Sequence, residues 1–104
     1  MARKQKTASA APEIVGYVSD QEARFFRDIV RKHPDLPEGV RRVELRFADD
    51  STGAPAVWIV FRVKDELKPD MSLLRAIRKI GNEMRADIHR IGSERWPYVK
   101  IRAE

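Results

Sequence analysis

The sequence predicts an α+β fold: a small single domain in the order helix, strand, strand, helix, strand, with a three-stranded sheet packed against a long amphipathic helix. Three observations carry this. Apolar residues recur at helical spacing in two stretches, residues 20–33 and 70–92. The segment between them, from Val40 to Lys64, alternates with a period of two and is interrupted by one turn. At 1.5 Å per residue the second helix is about 30 Å long, enough to cross a sheet of eight- or nine-residue strands. The chain has 104 residues, room for one domain.

Residues 1–12, rich in Ala, Ser, Thr and Lys and without apolar periodicity, read as a flexible basic N-terminal arm; residues 13–104 read as the domain. Ser19-Asp20-Gln21-Glu22 is a capping box: the Ser19 hydroxyl takes the backbone N–H of Glu22 and the Glu22 carboxylate reaches back to the N–H of Ser19. The helix that follows buries Ala23, Phe26, Ile29 and Val30, until Pro34 pushes His33 out of helical geometry. After the turn residues 35–39, Val43, Leu45 and Phe47 alternate with Arg42, Glu44 and Arg46 in a first strand with one buried face. A loop with Gly53 available for positive φ joins it to a second strand, Ala56 to Lys64. Asp70 caps the second helix, which runs to Gly92 and carries Leu73, Leu74, Ile77, Ile80, Met84, Ile88 and Ile91 as a core stripe. Trp96 to Arg102 forms the third strand, with Val99 and Ile101 inward and Pro97 marking an edge or a strand start. It lies antiparallel to the first strand or parallel to the second, the latter through a right-handed crossover. The first helix lies beside the second or on the opposite sheet face.

The net charge is +5, but three of the 21 basic side chains precede the first acid, Glu13, so residues 13–104 carry 18 basic against 16 acidic groups. With no cysteine, disulfides, thiolate metal sites and thiol catalysis are excluded, and a reducing compartment fits. No apolar run approaches the ~20 residues of a membrane helix, and the start lacks the apolar stretch of a secretory signal. The reading is a soluble, cytoplasmic protein with no membrane contact.

Two faces are candidate sites. On a helical wheel Arg75, Arg78, Lys79, Asn82, Arg85, Ala86, His89 and Arg90 occupy one arc of about 140° opposite the apolar stripe, with Glu83 and Asp87 on its flank. Like charges four residues apart repel, and a face that tolerates this fits an anionic partner such as RNA. The alternative is a solvated face whose cations find acids on neighbouring loops, such as Asp65, Glu66 or Asp70. On the sheet, pleat alternation sends Arg42, Glu44, Arg46, Trp58, Val60, Arg62, Lys64, Trp96, Tyr98, Lys100 and Arg102 to the side away from the second helix. Trp58, Trp96 and Tyr98 among Arg62, Lys100 and their neighbours suit base stacking with phosphate neutralisation. The same residues suit a second small core beneath the first helix first of all, and a protein interface as a third reading.

Catalysis is not expected. Asp50-Ser51-Thr52-Gly53 has one residue too many for the Asp-Thr-Gly loop of dimeric aspartic proteases, and a turn explains it. His33 and His89 lie in different helices without acids at metal-ligand spacing, and neither a glycine-rich phosphate loop nor a nucleophile elbow occurs. Neither metal nor other cofactor is expected.

Ile80-Gly81 within the long basic helix, Met84-Arg85, and the closing strand Arg95-Trp96-Pro97-Tyr98-Val99-Lys100-Ile101 resemble ribosome-binding factor A over residues 73–101. The resemblance implies a KH-like α/β fold and a small cytoplasmic bacterial protein that binds ribosomal RNA. Two readings of function follow: a non-enzymatic RNA-binding or ribosome-associated module using Arg75, Arg78, Lys79, Arg85, His89 and Arg90, or a protein-interaction subunit, as a homodimer or with an antitoxin-like, operon-encoded partner.

Overall fold

The structure, a computed structural model, describes residues 12–64 and 71–104. Its elements in chain order are β1 (Glu13–Gly16), α1 (Asp20–Arg31), β2 (Val40–Asp49), β3 (Pro55–Val63), α2 (Met71–Arg90) and β4 (Trp96–Ala103). The fold is α+β, with four strands where three were expected, ordered β1-β2-β3-β4. The added strand, β1, pairs parallel to β2, with Ile14 opposite Leu45 and Gly16 opposite Phe47. Of the expected arm only Pro12 is among the described residues, and it is buried. Asp65, Glu66 and the expected cap Asp70 also lie outside them.

Ser19 caps α1 by accepting the Glu22 N–H at 3.1 Å. The second half of the capping box does not form. The Glu22 carboxylate turns instead to Arg95, which donates from Nε at 2.7 Å. Arg95 also donates to the Ala56 carbonyl at 3.0 Å and lies 5.0 Å over the Phe47 ring. One guanidinium therefore ties the start of α1 to β2 and β3, an attraction that outweighs a solvated local cap.

Ala23, Phe26, Ile29 and Val30 of α1 are buried as the periodicity predicts. Phe26, Ile29 and Val30 join Val43, Leu45 and Phe47 of β2, Val57, Ile59, Phe61 and Val63 of β3, and Ile77, Met84 and Ile88 of α2 in one core. Phe26 packs edge-on against Phe47 at 5.2 Å. A Cβ at Gly81 would sit 3.0 Å from Val99 Cγ1. Since Phe47 and Val99 belong to the same sheet face through the pairs Leu45–Ile59 and Ile59–Val99, both helices cover that face. Among the described residues no helix lies over the opposite face, so the second core that the sequence also allowed beneath α1 does not form there.

β2 and β3 form the predicted antiparallel hairpin, and β4 lies parallel to β3 as an edge strand. The crossovers β1-α1-β2 and β3-α2-β4 step in the same direction across the sheet from strands that run oppositely, with both helices on one face. They therefore have opposite hands, and one of them departs from the right-handed rule that governs nearly all such connections. α2 ends in a Schellman motif, in which Gly92 N–H donates to the His89 carbonyl and Ser93 N–H to that of Ile88, with Gly92 at φ 80°.

Candidate nucleic-acid interface

The helical arc of α2 stands as the wheel placed it. Arg75, Arg78, Lys79, His89 and Arg90 are exposed and Arg85 is half-buried. The acids of the helix are turned towards α1. Glu83 lies 3.5 Å from His33 Nδ1, and Asp87 lies 4.0 Å from Lys32 Nζ and 2.8 Å from Arg90. Arg75, Arg78, Lys79 and Arg85 have no acidic partner among the described residues.

The close approach allowed at Gly81 sets α2 against β4, and the free edge of that strand leaves a groove of about 400 Å³ beside it. Apolar Leu74, Ile77, Val99 and Ile101 floor the groove; Arg78, Asn82 and Arg85 supply its polar wall. At the far end of the helix His89 meets Trp96 edge-on at 5.1 Å. Trp96, half exposed at 49%, therefore stands at the sheet edge against α2. It does not join Trp58 and Tyr98 in the expected platform of three aromatics.

On the helix-free face, those two rings stack at 5.3 Å with an interplanar angle of 17°. The Tyr98 hydroxyl donates to Asp50 in the hairpin turn. Beside the pair is a cup of about 440 Å³ walled by Arg46, Trp58, Arg62, Lys100 and Arg102 over Val60. Val60, though on the open face, is only 3% exposed, because the arginine stems around it cover apolar surface while their heads reach water.

Glu44 organises this face. Alternation put it among solvent-facing residues, yet it is 3% exposed. Arg62 donates to it from Nε at 3.1 Å and from Nη2 at 3.3 Å, Arg42 at 3.0 Å and Arg46 at 3.3 Å. Burial pushes its carboxyl up, and the bond and charge of Arg62, followed by Arg42 and Arg46, outweigh that and hold it below the usual carboxylate range. Arg42 also pairs with Glu13 of β1 and with Glu104. The bond to Glu104 is the main reason that its guanidinium pKa is raised. Thus Arg42 and Arg62 are anchored, whereas Lys100 and Arg102 have no acidic partner among the described residues. Pleat alternation names all these residues, but not their convergence on one buried acid. That depends on the β2–β3 register, which sets Glu44 opposite Val60 and beside Arg62.

Among the described residues no helix is long and apolar enough to cross a membrane. No protein-family model, curated protein or solved structure matches this chain.

Proposed function

We propose that the chain is a small, non-enzymatic RNA-binding module of bacterial type, ribosome-associated, that holds single-stranded RNA along the exposed face of α2. The observation that carries this is the set of four cations, Arg75, Arg78, Lys79 and Arg85, without an acidic partner among the described residues, on a helix whose acids face α1. Unpaired like charges along one face repel one another, and a phosphodiester backbone relieves that repulsion while releasing counterions. The adjoining groove supplies apolar surface for bases beside the phosphate-binding side chains.

The test is fluorescence anisotropy with a labelled single-stranded RNA across a salt series. Four phosphate contacts give a slope of about −3 in log K against log salt for a single strand. The variant R78E/K79E/R85E is expected to lose binding and keep its circular dichroism; binding equal to that of the native chain overturns the reading.

A second reading is a protein-interaction subunit, and one observation favours it. The edge strand β4 leaves Trp96 and Ile101 exposed, at 49% and 36%. Capture of a stoichiometric protein that survives nuclease and high salt, and is lost in Trp96→Ala, is the outcome that selects it. Lys100 and Arg102 on the same strand work against pairing of that edge with a second copy of itself, since like charges would be brought face to face.

A further inference from the structure

We propose that the helix-free face of the sheet is a second contact surface for the same RNA strand, with a base stacked on Trp58 and the flanking phosphates on Lys100 and Arg102. This rests on the RNA-binding reading and extends it around the edge of β4.

The argument begins with rigidity. A stacking platform helps affinity most when it is held in place before the ligand arrives. Asp50 fixes the Tyr98 hydroxyl at 3.0 Å and Tyr98 stacks on the indole, so the orientation of Trp58 is determined by the hairpin turn. The guanidinium of Arg62 is fixed likewise, by Glu44 and by the Ala103 carbonyl at 3.1 Å. One face of the indole is covered by Tyr98, and the indole is itself one of the walls of the cup.

Charge complementarity names the occupant. Four cations wall the cup; among the described residues the one carboxylate paired with any of them is Glu44, and Glu44 is already shared by three arginines. A carboxylate-poor basic depression with an indole wall fits a phosphate-bearing base better than an apolar peptide. Continuity supplies the path. Lys100 and Arg102 lie on β4, the strand that also floors the α2 groove through Val99 and Ile101. Successive β4 residues thus face the two surfaces alternately, and Trp96 stands at the edge between them.

The chain has two tryptophans, so Trp96→Phe leaves Trp58 as the sole indole reporter. In that variant an oligouridylate of about ten nucleotides is expected to quench Trp58 emission in parallel with the rise in anisotropy. Adding Lys100→Glu and Arg102→Glu, both on exposed side chains, is expected to abolish the quenching and weaken binding by about tenfold, the order that loss of one stacked base implies. Uridine monophosphate is expected to give no quenching at the same nucleotide concentration. RNA that binds with native affinity while Trp58 emission is unchanged overturns this second surface and leaves the α2 reading intact. Quenching that survives the two Lys100 and Arg102 reversals, or that the mononucleotide reproduces, also overturns it. Absence of any binding by the native chain overturns both.

Discussion

The Tyr98 hydroxyl donates a 3.0 Å hydrogen bond to Asp50 Oδ2, so a side chain of the edge strand closes onto the turn of the neighbouring hairpin. Asp50 also accepts from the Thr52 hydroxyl at 2.6 Å, the Thr52 N–H at 2.9 Å and the Ala54 N–H at 3.1 Å. These donors, the Thr52 hydroxyl foremost, bring its carboxyl down from 3.8 to about 2. The same contact raises the phenol of Tyr98, chiefly through its bond to Asp50.

A carboxyl depressed by folding contributes stability above its unfolded pKa and loses it as pH falls through the folded value. The turn is therefore expected to loosen between pH 3.8 and about 2, taking the Trp58–Tyr98 stack with it. Side-chain carboxyl titration by NMR checks this: Asp50 should titrate near the lower figure, and Tyr98→Phe should raise its midpoint. An unshifted Asp50 contradicts the geometry.

Glu44→Gln is expected to destabilise the chain by about 2 kcal/mol, below the roughly 3–5 kcal/mol of breaking a fully buried ion pair, because the arginine heads are partly solvated. Chemical denaturation reads the loss. Glu44→Leu removes the same shared acceptor, leaving Arg46 without an acidic partner among the described residues while Arg42 keeps Glu13 and Glu104 and Arg62 keeps the Ala103 carbonyl, and should be no better; a variant as stable as the native chain would mean that the arginines find water without penalty.

Gly16 has φ 101°, and a Cβ there would lie 2.2 Å from the Phe47 carbonyl oxygen. Gly16→Ala combines left-handed strain with a backbone clash and is expected to cost about 3 kcal/mol, detaching β1. Hydrogen exchange should show β1 amides losing protection before those of β3.

Gly81→Ala gains helix propensity of about 1 kcal/mol but pushes against Val99, at a cost of about 1–3 kcal/mol. The net expectation is a modest loss. In a double-mutant cycle, Val99→Ala should relieve it, so that the pair is more stable than the two single variants sum to. Simple additivity would show that α2 has shifted away from β4.

The hairpin, the two helices and their buried stripes were legible because each repeats its period over many residues, as in Val43, Leu45 and Phe47 or Ile77, Met84 and Ile88. β1 was not legible. Its four residues, Glu-Ile-Val-Gly, are too few for an alternation to show, and its partner is Glu44 to Phe47, some thirty positions away. The Glu22 carboxylate followed the same logic: the local capping box was visible, while its rival Arg95 lies 73 positions on. The basic arc of α2 was readable from the sequence because a helix makes surface neighbours out of local ones. The arginine cluster on Glu44 was not, because it depends on strand register and on all four strands being present. Trp96 misled because alternation fixes which side of a strand a side chain leaves from, not whether a ring at a free edge folds back towards a helix.

The reach of Arg95 also has a meaning in time. At roughly 5–20 residues per second, the 73 positions between Glu22 and Arg95 take about 4–15 s to translate. Until then the first helix is made but its carboxylate is unanswered, and the ring of Phe47 lacks the cation that lies over it. The start of α1 is thus fastened by a side chain made 73 positions after it, and during synthesis it must wait for its own lock.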